Sequence, residues 1–165
     1  MNVDDTVDYK IKDLYFPAML LGKLTMTFTC EINVREEKML SNALILITKQ
    51  FERENMKDFK RTTLVFTENG DISLKMPSEA MGMRMTACIF PVKRWRDKNY
   101  NDIQILTIIL EELCHHYWSI EDELIVKYKV FEVIKSLNPD LKITDLYTGL
   151  EEYEGYQANA AVETL

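Results

Sequence analysis

The side chains best suited to chemistry lie in Glu111-Glu112-Leu113-Cys114-His115-His116 and, just beyond, in Glu121-Asp122-Glu123. Both histidines of the chain are there. On a helix, residues four apart share a face, so Glu111 stacks with His115 and Glu112 with His116. Either pair can grip a divalent cation through carboxylate oxygen and imidazole nitrogen. The same spacing also makes ordinary surface pairs, each worth roughly a few tenths of a kcal/mol. A cysteine nucleophile is a poorer fit. Both histidines follow Cys114 directly, and adjacent helical residues point to different faces. With five glycines and no GxGxxG or GxxxxGK pattern, no phosphate-cradling loop is present.

A second cluster, Lys93-Arg94-Trp95-Arg96-Asp97-Lys98, is the only dense basic stretch. It reads as a strand-to-helix loop in which Arg94, Trp95 and Arg96 are candidate anchors for a protein partner. Stacking on single-stranded nucleic acid is the competing use. Met76, Met81, Met83 and Met85 crowd one loop, as an adaptable surface or as filling for an irregular core.

These residues need elements to position them. Leu24, Met26, Phe28, Cys30, Ile32 and Val34 alternate with polar residues, which predicts a half-buried strand. From Glu36 to Glu54 the period turns helical, with Leu40, Leu44, Ile47 and Phe51 as its stripe. Thr62 to Thr67 and Ile72 to Met76 read as a hairpin around Asn69-Gly70, and Met85 to Phe90 as a further strand. Asn101 or Asp102 caps a helix running to about Trp118, apolar nearly all round in its first half and so expected at the centre of the core. A helix from Glu121 to Leu137 carries Leu124, Tyr128, Phe131 and Ile134, and a short one spans about Thr144 to Leu150. Strands followed by helices predict a single α+β domain over 1–150, with a small, mainly antiparallel sheet packed on helices. Residues 1–17 read as a docking arm, held by Tyr9, Ile11, Leu14, Tyr15 and Phe16, and 151–165 as a flexible tail.

Bulk properties narrow the function classes. The 165 residues carry 20 basic and 27 acidic side chains, a formal charge of −7. That argues against direct binding to nucleic acid and permits docking onto a basic protein surface. Three cysteines without close pairing, and an acidic start, fit a reducing cytoplasm. No apolar run is long enough for a membrane span.

The order of helix, strands and site-bearing helix resembles the minimal zincin-like metallopeptidases of the ImmA/IrrE type, whose His-Glu-x-x-His supplies two ligands and a base. Glu111-Glu112-Leu113-Cys114-His115 aligns with that motif, Glu111 standing where the first histidine would be. Glu121-Asp122-Glu123 resembles the acidic segment downstream. The resemblance implies Glu111, His115 and either Glu121 or Glu123 as ligands to a divalent metal (Zn, Mn or Fe), with Glu112 as catalytic base. Two anionic ligands acidify a metal-bound water less than histidines do. The expectation is therefore a phage or mobile-element protein that binds or inhibits another macromolecule through a noncatalytic zincin-like scaffold. Its partner would be a protein, in one form a basic nucleic-acid-handling protein. The alternative is a metal-dependent peptidase using the same residues.

Overall fold

The computed structural model describes residues 14–72 and 86–150. Tyr9, Ile11, the four crowded methionines, the strand expected at 72–76 beyond Ile72, and the tail at 151–165 lie outside them. The described chain runs β1 (Leu24–Phe28), α1 (Val34–Arg53), β2 (Thr62–Thr67), β3 (Ala87–Pro91), α2 (Val92–Asp97), α3 (Asp102–Trp118), α4 (Glu123–Lys135) and α5 (Ile143–Leu146). No helix among the described residues is long and apolar enough to cross a membrane.

The sheet corrects the antiparallel expectation. Its order is β1-β2-β3, and β2 pairs in parallel with both neighbours. The reason can be read in Thr62-Thr63-Leu64-Val65-Phe66-Thr67, which is buried almost throughout, as a central parallel strand must be. Asn69-Gly70 does bend the chain, with Gly70 at φ +90 and its N–H donating to the Thr67 hydroxyl, yet Ile72 joins no strand. Between β1 and β2 the crossover that a parallel pair requires is α1.

Register builds the core. Phe28, Phe66 and Phe90 are paired across the three strands, and their rings stack 4.8 and 4.9 Å apart. Trp95 closes the row, 6.4 Å from Phe66 and 6.0 Å from Phe90. The same core takes in the predicted α1 stripe, Leu40, Leu44, Ile47 and Phe51, together with Ile109, Leu110 and Leu113 of α3.

Local chemistry sets several boundaries. The alternation predicted through Val34 stops at Phe28, because Asn33 and Glu36 form a reciprocal capping box that starts α1. In α4 the core stripe is Val126, Val130, Val133 and Ile134, while Leu124 is 48% exposed. The segment is apolar on two faces. Which one turns inward is settled by Lys129, only 4% exposed, which pairs with Glu54 and with Glu132 (3.0 Å) and lies 4.7 Å from the Trp118 ring. Gln50 donates to Glu132 (2.7 Å), and the Trp118 indole N–H to Glu54 (2.6 Å), so one polar network joins α1, α3 and α4.

The basic stretch expected as a loop is α2, and its anchors are mostly used inside the molecule. Trp95 is 3% exposed. Arg96 donates through Nε and Nη2 to both carboxylate oxygens of buried Glu36, at 2.9 and 2.7 Å, and to the Glu31 carbonyl. Arg94 and Arg96 both reach solvent, but Arg96 is committed to Glu36 while Trp95 is buried. Arg96→Ala, which strands a buried carboxylate, is expected to lower stability by about 2 kcal/mol, and Arg94→Ala to change it by less than about 0.5 kcal/mol. Urea denaturation distinguishes them, and equal effects would contradict the internal role of Arg96.

Candidate functional site

The acid–histidine segment occupies the last turns of α3, and the turn that follows shapes it. Ser119 ends the helix in the left-handed region at φ 54, a conformation usually left to glycine or asparagine. The chain doubles back, and the Ile120 carbonyl meets His115 Nδ1 at 2.5 Å. A carbonyl can only accept, so Nδ1 carries the proton. That orientation leaves Nε2 facing Glu123, 3.6 Å away. Asp122 then caps α4 by accepting from the Leu124 and Ile125 N–H groups.

An open cleft of about 610 Å³ lies here. It is lined by Glu112, His115, His116, Glu121 and Glu123, together with Lys60, Thr86 and the first residues of β3, Ala87 and Cys88. Four of the five site residues anticipated on the helix and its acidic sequel are thus brought together. Glu111 does not line the cleft. It lies beside Tyr147, whose buried hydroxyl makes no hydrogen bond of normal geometry, and burial holds its carboxyl above the usual range. His115 is within ion-pair distance of Glu123, and it acts electrostatically on both Glu111 and Glu112.

Partial burial also raises Glu112, an effect His115 opposes. His116 is pushed below the ordinary imidazole range by burial, which the facing carbonyls of Lys60 and Arg61 partly offset. Its Nε2 is buried without a hydrogen-bond partner, and its ring sits edge-on to Tyr117 at 4.9 Å. Cys114 is fully buried, and burial drives its thiol strongly upward. Cys88 is pushed up to about 11 by burial, and its thiol donates to the Glu112 carbonyl at 3.8 Å, tying β3 to α3.

The donor set implied by the zincin-like resemblance does not fit a metal ion. Among the described residues, no group of three or more His, Cys, Asp or Glu side chains is placed to hold one. Glu111 points to Tyr147, and His115 meets Glu123 alone at ion-pair distance. Lys60 was missed in the sequence, since nothing near it marks a site until β2 and β3 run parallel and bring their starts together. Comparison with protein-family models, curated proteins and solved structures found no match to this chain.

Glu111 offers a pH test. Its folded value is raised, so its favourable contribution is complete below the ordinary carboxylate range and is lost as pH rises through the folded value. At neutral pH a penalised charge remains. Glu111→Gln is expected to raise the melting temperature at about pH 7 and to leave it nearly unchanged at about pH 4. An equal change at both pH values would assign the effect to packing.

Proposed function

We propose that this chain acts by binding a basic protein, as an inhibitor of a nucleic-acid-handling protein would, with the zincin-like segment serving as a binding surface. The observation that carries this reading is the open cleft whose charged lining is Glu112, Glu121 and Glu123 against the single cation Lys60. Lys60 is itself engaged by the Ser119 hydroxyl. Glu121 and Glu123 are exposed, and Glu123, although 3.6 Å from His115 Nε2, keeps most of its carboxylate open to an incoming cation. The formal charge of −7 acts in the same direction at longer range, speeding encounter with a basic surface and repelling phosphate backbones. Both thiols near the cleft, Cys88 and Cys114, are buried and held in the protonated form, which favours recognition over nucleophilic chemistry.

Binding of a lysine-rich protein or peptide is expected to weaken about ten-fold as salt rises from about 50 to about 500 mM. Glu121→Gln with Glu123→Gln should weaken it several-fold at low salt and flatten the salt dependence. Calorimetric titration of the intact chain measures both. Binding that ignores salt and these substitutions would remove the acidic cleft as the docking site.

A further inference from the structure

The cleft does not end at Cys88. A second cavity, about 280 Å³, continues from it and is lined by Ile89, Phe90 and Pro91 with Trp95, Tyr100 and Ile108, and it carries one cation, Arg94. Glu112 lines both cavities. Taken together, they follow β3 residue by residue from Thr86 to Pro91, with α3 as the facing wall.

β3 is the last strand of the described sheet. Its backbone orientation follows from the ladder. Thr63, in register with Ala87, donates its N–H to the Thr86 carbonyl at 3.2 Å. In a parallel pair the residues on either side of the register partner turn their backbone groups toward the neighbouring strand. Thr86, Cys88 and Phe90 therefore serve β2, while Ala87 and Ile89 direct N–H and C=O to the outer edge. Among the described residues, nothing hydrogen-bonds those outward groups. Ile89 is 40% exposed.

We infer that the basic partner enters this groove as an extended segment that adds to the β3 edge as a fourth strand. This rests on the reading that the acidic cleft receives a basic protein, and it specifies how. Ala87 and Ile89 supply the backbone contacts, which give affinity without regard to sequence. Side chains supply the selection. A lysine or arginine of the segment meets Glu112, Glu121 and Glu123 at one end, and an apolar residue meets Ile89, Pro91, Tyr100 and Ile108 at the other. A second copy of the chain is a poorer occupant, because it brings the same excess of negative charge to an acidic groove.

The test uses the intact chain and an unstructured probe of about eight residues alternating lysine and valine, long enough to span the edge at roughly 3.3 Å per residue. Ile89→Pro removes an outward donor and leaves the β2–β3 ladder untouched, since the Ile89 N–H takes no part in it. The expected result is a loss of affinity of about ten-fold or more in Ile89→Pro, with β2 amide protection unchanged. On the unaltered chain, N-methylation of one alternate set of probe amides should abolish binding, and methylation of the other set should not. Probe binding should also slow hydrogen exchange at Ala87 and Ile89.

Full binding by Ile89→Pro, or equal effects of the two methylation sets, would overturn strand addition. If Glu121→Gln with Glu123→Gln still weakened the complex, the acidic-cleft reading would stand without it. Loss of binding in Ile89→Pro with no effect of the glutamate substitutions would instead defeat that reading. Slow exchange at Ala87 and Ile89 before any probe is added, or a concentration-dependent dimer that Ile89→Pro dissolves, would give the edge to the chain itself.

Discussion

Because β2 runs in the same direction as β1 and β3, all three strands begin at one end of the sheet and finish at the other. Each end then has its own neighbours. At the carboxyl ends α1 and α2 start, and the Arg96–Glu36 pair locks those starts together around the Asn33 cap. At the amino ends the approach to β2 through Lys60 and to β3 through Thr86 meets the close of α3 and the opening of α4. Open parallel sheets commonly hold ligands beyond their carboxyl ends. Here a buried carboxylate and its guanidinium occupy part of that end, and the acidic cleft forms at the other.

The helices are registered by charge as well as by apolar packing. Lys129 is taken out of water, an arrangement tolerated only with opposite charge close by. Glu54 of α1 and Glu132 of α4 supply it, with Trp118 of α3 against the ammonium. Sliding α4 by one residue would leave the lysine without these partners, so the network discriminates among helix positions that Val126, Val130 and Val133 alone would satisfy nearly as well. The cleft depends on that placement, because Glu123 stands in the first turn of the same helix.

Elements whose signals are local were legible in the sequence. The span of α3 follows from Asn101 and its apolar stretch, and the α1 stripe from regular spacing. What escaped was set by distant partners. Strand direction depends on which chains flank β2, and six residues of Thr, Leu, Val and Phe do not encode that. The fate of Trp95 and Arg96 depends on the phenylalanine row and on Glu36, sixty positions earlier in the case of Arg96. Helical spacing and a short connection were enough to place Glu112, His115, Glu121 and Glu123 near one another, and they line one cleft. The neighbourhood of Glu111 was not legible, because it is set by Tyr147, a residue beyond α4 that helical spacing does not reach.

Pro91 closes β3 and is also the residue from which α2 begins. It has no N–H, and the carbonyl of a residue in that position is taken by the first turn of the helix. The outward ladder therefore stops after Ala87 and Ile89. An exposed strand edge invites unlimited stacking of like strands, the route by which folded chains become fibres. Among the described residues the outward edge is two residues long and ends in proline, too short a template for such growth.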